Sequence, residues 1–313
     1  MRTRIRDFVI TREDWIFSVV SYESSGEDED VKCLLRYIPD ETGERVSERG
    51  RYRKLGFYEA YEFLRRHRPE YVKDVHVIPK VDIKEILQPE EWLPLIAERE
   101  EKARTIYDLL RGPGHIPKDR IGITGSFLCG LNGEKSDLDF VIYGLRNFDR
   151  AREVIDDAKE EGVIAELTEE TWRRIYRKRN PELSYEVFVA HERRKKNRGT
   201  IGNAYFDILY VRDWTEIKKL DKGIYEKGER VGYAKITAEV KNASFSFDNP
   251  AIYEIEHPEI NKVLSFTHTY AGQALEGEKI EARGVLEKTR QGTRLVVGTT
   301  REAEGEWIKS LSL

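Results

Sequence analysis

A chain of 313 residues with 39% apolar side chains is long enough for two or three domains and a sizeable core. Charged residues make up 36% and the net charge is −4, so no chain-wide positive field draws it to polyanions, and any polyanion site must be a local patch. Cys33 and Cys129 form neither a disulfide framework nor a metal-type spacing, which fits a reducing cytoplasm. The start MRTRIRDFVI lacks an adequate apolar signal core, and no apolar run reaches the roughly 18 residues of a membrane span, so a signal peptide and a membrane segment are not expected. The single Met beside abundant Glu, Lys and Arg leans towards a thermophile.

The first eighty residues read as a small α+β module. Phe8–Ile10, Trp15–Tyr22 and Val31–Ile38 are rich in β-branched and aromatic residues, as strands are, and the acidic Ser24–Asp30 separates the last two as a solvated loop. Pro39–Arg49 is polar. The basic stretch Gly50–Leu55 introduces a helix over Phe57–His67, and its Arg51, Arg53 and Lys54 read as a solvated linker before they read as a phosphate contact. Val75–Val81 is a further expected strand, broken by Pro79. A short helix is expected over Asp82–Leu87, and a longer one over Glu91–Leu110, opened by Pro89 and ended by the Pro and Gly at 112–114.

A strand over Arg120–Thr124 then leads into Ile123–Gly144, ITGSFLCGLNGEKSDLDFVIYG. Gly125-Ser126 is followed after ten residues by Asp137, and Asp139 stands two residues further, inside the apolar run that ends at Gly144. Alternation along a strand sends Asp137 and Asp139 to one side. Two neighbouring carboxylates repel each other, and a hard divalent cation such as Mg²⁺ relieves the repulsion. Gly-Ser offers backbone N–H groups and a hydroxyl to a phosphate, with no Cβ on the glycine to block its approach. Cys129, in the same loop, reads as a buried packing residue.

Beyond the motif, helices are expected over Asn147–Glu161, Glu169–Arg179 and Pro181–Lys196, with a short strand at Val163–Ala165. The last helix ends in a basic run, Arg193, Arg194, Lys195, Lys196 and Arg198. Its cations suit a triphosphate or an acceptor backbone, and equally suit a solvated helix end that complements the dipole. Ile201–Val211 reads as a strand whose charge, Asp207, sits between Phe206 and Ile208, where an ionised group needs a partner or a cation. Asp213 is a weaker rival near the strand end. From Val231 onward short β-rich runs separated by Gly, Asn and Pro turns read as a small β-barrel, OB-like in form. The chain is thus expected to divide into an N-terminal α+β module (1–80), a catalytic core (81–220) and a C-terminal β-barrel-like domain (221–313).

The stretch Gly125-Ser126…Asp137-x-Asp139 resembles the DNA polymerase β-like nucleotidyltransferase superfamily, whose pattern is an apolar residue, Gly-Ser, about ten residues and Asp-x-Asp on a strand. The resemblance implies an α+β, mixed-sheet core and transfer of NMP from an NTP to an acceptor hydroxyl, with release of pyrophosphate. It implies two Mg²⁺ ions, for which Mn²⁺ can substitute, held by Asp137 and Asp139, with Asp207 as the third carboxylate that completes the catalytic metal site. Gly125 and Ser126 would contact the nucleotide phosphates, with Arg193, Arg194, Lys195, Lys196 and Arg198 as further phosphate ligands. The layout is also similar to a group of archaeal predicted nucleotidyltransferases that carry an Arg-Arg-Lys-x-Asn-Arg-Gly-like stretch, here Arg193–Gly199. The extra barrel and the basic runs point to an RNA or DNA end as acceptor. Two rival readings stand beside this one: modification of a protein hydroxyl, as by the much shorter antitoxin-type enzymes, and non-catalytic nucleic-acid binding on the same scaffold.

Overall fold

The computed structural model describes residues 2–23, 30–134, 136–300 and 302–313. Most of the acidic loop expected at Ser24–Asp30 lies outside them. The N-terminal strands are β1 (Phe8–Thr11), β2 (Ile16–Val19), β3 (Val31–Pro39), β4 (Arg45–Ser47) and β5 (Gly50–Lys54), followed by helix α1 (Phe57–His67), β6 (His76–Ile78) and β7 (Ile83–Leu87). They form a seven-stranded sheet in the order β4-β5-β3-β2-β1-β7, with β6 beside β3. Gly50–Lys54 is therefore a sheet strand and no linker: Arg53 pairs with Asp40 and Glu59, and Arg51 donates to the Gly43 carbonyl.

Within Asp82–Leu87, where a short helix is expected, Ile83–Leu87 is a strand and Asp82 ends a 3-10 turn. Leu87, Ile86 and Glu85 pair with Phe8, Val9 and Ile10, and a helix of so few residues cannot offset its own nucleation cost against that ladder. The strand at Val75–Val81 shortens to β6, since Pro79 has no N–H to donate. Both faces of the sheet are buried. Val9, Phe17, Val19, Cys33 and Leu35 pack with Ala60 and Leu64 of α1. On the other face Phe8, Ile10, Ile16, Tyr37 and Tyr52 pack against Leu128, Cys129 and Leu131, the segment that follows Gly-Ser.

The long helix expected over Glu91–Leu110 is two, α2 (Pro89–Arg99) and α3 (Glu101–Arg111), broken at Glu100, whose φ of −115° and ψ of 98° are extended. The break has a packing reason. Leu93 and Ala97 are buried in the first half, and Ala103, Ile106, Tyr107 and Leu110 in the second. At about 100° per residue, a continuous helix would set these two stripes roughly a quarter-turn apart.

The chain continues through β8 (Ile121–Ile123), α4 (Gly125–Leu128), β9 (Leu138–Tyr143), α5 (Leu145–Glu160), α6 (Glu169–Arg179), α7 (Tyr185–Arg194), β10 (Arg198–Ile201), β11 (Ala204–Val211) and α8 (Trp214–Lys218). The second sheet has the order β10-β11-β9-β8, with β9 parallel to β11 and antiparallel to β8. The crossover helix α5 buries Phe148, Ala151, Val154, Ile155 and Ala158, one stripe of a 3.6-residue period. The strand expected over Ile201–Val211 is instead two strands joined by a tight turn at Gly202-Asn203, where Gly202 has a φ of +56°. Of the strand expected at Val163–Ala165 only a bridge from Ala165 to Thr200 forms.

The C-terminal strands are β12 (Glu229–Asn242), β13 (Ala251–Glu256), β14 (Lys262–Ser265), β15 (Lys279–Thr289), β16 (Gly292–Val297) and β17 (Trp307–Ser310). Their order is β12-β13-β14-β16-β15-β17, and β12 also pairs with β15. That extra pairing closes a five-stranded barrel, with β17 attached outside it along β15. The β14–β16 pair is parallel and the other pairs are antiparallel, the Greek-key order of an OB-like barrel. Closure is tight at Gly284, where a Cβ would meet the Val296 carbonyl oxygen at 2.3 Å.

Two compact units result. The first comprises Met1–Ala165 and Gly199–Leu220, the second Glu166–Arg198 and Asp221–Leu313. In the first unit Asp7 is fully buried; its Oδ2 accepts from the Arg4 N–H at 2.8 Å, and its Oδ1 has no hydrogen-bond partner. Burial pushes this carboxyl up to about 8 from 3.8, against the pull of Arg4. The folded state therefore holds a proton that the unfolded chain releases. The associated stability is fully present below pH 3.8 and is lost as pH rises through about 8. Asp7→Asn, which keeps the acceptor and cannot ionise, is expected to gain stability relative to wild type over that range. Urea unfolding at the two ends checks it, and a constant difference would contradict it.

Candidate active site

The candidate site lies in the first unit, where β8, α4, β9 and β11 meet. Thr124 is extended, and its N–H donates to the Asp139 carbonyl at 2.8 Å. Gly125 then turns the chain with a φ of +69°, and a Cβ built there would stand 3.0 Å from Asp139 Oδ2. The left-handed backbone favours glycine, and a Cβ there would also crowd the Asp139 carboxylate. Ser126 follows in the first turn of α4, half-buried.

Asp139 is the half-buried residue of β9 between Leu138 and Phe140, both buried. On the parallel neighbour β11, its register partner is Asp207. Paired residues of adjacent strands share a face about 4.8 Å apart, so the two carboxylates lie side by side. Asp207 is only 5% exposed, and the Tyr205 hydroxyl, two residues back on the same face, donates to its Oδ2 at 2.8 Å. Asp137 is half-buried and stands just before β9, outside the paired register. The structure thus brings Gly125, Asp139 and Asp207 together and sets Asp137 at the mouth of the strand.

The loop before Asp137 is held from the N-terminal sheet. Leu131 is fully buried among Phe8, Ile10, Tyr37 and Tyr52. Arg45 Nη1 donates to the Leu131 carbonyl at 3.3 Å and reaches Ser136 Oγ at 3.5 Å, and that oxygen also accepts from Gly133 N–H at 2.9 Å. Burial, reinforced by Cys129 and by the negative charge of Asp139, pushes the Tyr37 hydroxyl up to about 12. Cys129 itself is buried and its thiol is pushed well above its ordinary range by that burial, so it packs, as expected, and is no nucleophile. Tyr205 and Arg45 are absent from the sequence reading. Tyr205 has a signal there, its i−2 position to Asp207; Arg45 has none, because its partners lie some ninety residues away.

Three carboxylates with no nitrogen or sulfur donor are the ligand chemistry of a hard divalent cation, and in that sense the residues fit Mg²⁺ or Mn²⁺. Among the described residues no three His, Cys, Asp or Glu side chains are gathered into a metal-holding cluster. Asp213, the rival third carboxylate, is occupied otherwise: it caps α8 through the N–H groups of Thr215 and Glu216, and it accepts from Arg120 at 2.9 Å.

The basic run divides by exposure. Arg193 and Lys196 are exposed. Arg194 pairs with both carboxylate oxygens of Glu278, at 2.8 and 2.9 Å. Lys195 and Arg198 are buried and each stands 2.5 Å from Glu192, which Arg179 also approaches at 2.9 Å. These contacts lie within the second unit.

A model of the nucleotidyltransferase domain matches residues 110–198, a span that holds Gly125, Ser126, Asp137 and Asp139 and ends before Asp207. The uncharacterized protein MJ1086 of Methanocaldococcus jannaschii is 39% identical, with 99% of each chain covered. The chain belongs to the polymerase β-like nucleotidyltransferase superfamily. No solved structure matches it significantly. The strand–turn–helix–strand order of β8, Gly125, α4 and β9 is therefore the nucleotidyltransferase element that the motif implies. Gly125→Ala is expected to destabilise the protein by about 1–2 kcal/mol, the cost of a left-handed residue bearing a Cβ. A urea-unfolding midpoint unchanged from wild type would contradict the reading of Gly125.

Proposed function

We propose that the protein transfers NMP from an NTP to the hydroxyl of an RNA or DNA end and releases pyrophosphate. The observation that carries this reading is the pairing of Asp139 with Asp207 beside Gly125. Two carboxylates aligned on adjacent parallel strands, one of them buried, are costly unless a cation or a proton offsets them. Asp137, Asp139 and Asp207 would hold divalent cations, Mg²⁺ or Mn²⁺, and cations bound there would neutralise triphosphate charge and activate the acceptor oxygen. The chain's own residues do the rest. Gly125 lets the backbone approach a phosphate, and the Ser126 hydroxyl supplies a donor. Asp207, oriented by Tyr205, lies on the acceptor side. In the reaction the acceptor hydroxyl gives its proton to Asp207, its oxygen bonds to the α-phosphorus while the bond from that phosphorus to the bridging oxygen breaks, and pyrophosphate leaves. Within the second unit, Arg193 and Lys196 are the members of the basic run exposed to a phosphate in solution.

Incubating the protein with each α-labelled NTP, Mg²⁺ or Mn²⁺, and separate pools of tRNA, DNA and protein tests the reading and identifies the acceptor. Label entering a nucleic-acid pool supports it. Label entering only the protein pool favours the antitoxin-like alternative, and nucleic-acid binding with no transfer from any NTP favours a non-catalytic module.

A further inference from the structure

The outer surface of the C-terminal barrel is divided in charge. Over β13 its exposed side chains include Glu254 and Glu256, and nearby Lys241 is held by Glu239 and Glu256 at 2.8 and 2.5 Å. Glu239 and Lys241 belong to β12 itself, and Glu239 is in register with Lys279; beyond them β12, β15 and β17 carry a different set of side chains. The alternation that buries Ile236, Ala238, Ile280, Ala282 and Ile308 turns Tyr233, Lys235, Lys279, Arg283, Trp307 and Lys309 outward. Register sets Lys235 opposite Arg283, and Arg283 opposite Trp307. The Arg283 guanidinium lies between two rings, 5.3 Å from that of Tyr233 and 5.6 Å from that of Trp307, and Lys235 Nζ is 5.9 Å from Trp307. Tyr233 is 59% exposed. Glu281 stands inside the patch, 2.9 Å from both Lys235 and Lys309.

Interleaved rings and cations on the outer face of a barrel widened by β17 suit one class of ligand. Unpaired bases stack on aromatic faces and on guanidinium planes, while their phosphates follow ammonium groups. A duplex has its base faces already stacked and would use the cations alone. A protein partner of comparable size favours an interface core depleted of charge, which this face lacks.

We propose that the outer face of β12, β15 and β17 binds single-stranded nucleic acid, with bases stacked on Tyr233 and Trp307 and phosphates paired to Lys235, Arg283 and Lys309. As a docking site for the acceptor it rests on the reading of the acceptor as a nucleic-acid strand, but binding itself needs no catalysis. Glu281 competes with phosphate for Lys235 and Lys309, so removing its charge strengthens binding.

Fluorescence anisotropy of the full chain tests this with labelled single strands of about 15 nucleotides, oligo-dT and oligo-U, and with a duplex of the same length. Wild type is expected to prefer the single strands. Tyr233→Ala with Trp307→Ala is expected to weaken them about tenfold or more, as loss of two stacking platforms does. Tyr233→Ala alone, at an exposed position, is expected to weaken them by a smaller factor. Glu281→Gln is expected to tighten binding several-fold, an effect misfolding cannot mimic. Equal affinity for duplex and single strand, or unchanged affinity in Tyr233→Ala or in Glu281→Gln, overturns the proposal. Asp139→Asn in the same assay separates the two readings: it retains binding if the platform is real, whatever its transfer activity.

Discussion

Asp139→Asn and Asp207→Asn are each expected to lower metal-dependent nucleotidyl transfer by at least ~10³-fold, with the thermal midpoint no lower than that of wild type. The two residues occupy one register position on adjacent parallel strands. Each substitution keeps shape and removes a negative charge from a pair that repels, so the fold gains or is unchanged while the charge that would hold a cation is lost. Their combination is expected to lose little beyond either single change, because groups that act as a unit are not additive. Tyr205→Phe, which removes the donor at 2.8 Å from Asp207 Oδ2, is expected to cost less, about tenfold. Transfer unaffected by either Asn variant, measured with α-labelled NTP, would remove the assignment.

The second large effect is on stability. Glu192→Ala is expected to destabilise the second unit by about 3–5 kcal/mol, read from its urea-unfolding transition. The Glu192 side chain is wholly buried and faces Arg179, Lys195 and Arg198 within 2.9 Å. Burial would raise its carboxyl; Arg198, Lys195 and Arg179 reverse this and hold it well below its ordinary value. Burial likewise brings Lys195 down to about 8, against the opposing pull of Glu192. Removal of the carboxylate leaves three clustered cations without the negative charge that offsets their mutual repulsion. Because the folded value is depressed, the stabilisation Glu192 supplies is present above the unfolded value of 4.5 and is lost as pH falls towards its folded one. The penalty of Glu192→Gln is therefore expected to be full at pH 7 and to shrink in acid. A penalty independent of pH, or Glu192→Ala as stable as wild type, would contradict this account of the cluster.

The same cluster marks what the chain's order of residues conceals. Gly125-Ser126, Asp137 and Asp139 are legible because their chemistry depends on local spacing, and a left-handed glycine before an acidic strand is a local event. Asp207 is legible as a lone charge in an apolar strand. Its register with Asp139 is not, since parallel pairing joins segments almost seventy residues apart. The run Arg193–Arg198 reads as a phosphate clamp or as a solvated helix end. In the folded chain Arg194, Lys195 and Arg198 meet the partly buried Glu278 and the buried Glu192, and carboxylate partners of this kind are set by tertiary packing. Asp82–Leu87 has the composition of either element, and the free edge of β1 decides for the strand. The closed barrel is legible as short β runs separated by turns, whereas the pairing of β12 with β15 that closes it is a long-range contact.

The central claim is tested most directly by following two labels in one reaction. With Mg²⁺ and a nucleic-acid acceptor, the α-phosphate of the NTP is expected to enter the acceptor and the γ-phosphate to appear in pyrophosphate, one for each nucleotide transferred, and Asp139→Asn is expected to stop both. Appearance of the γ-label in the acceptor, or its release as orthophosphate with no α-label transferred, would contradict nucleotidyl transfer at this site.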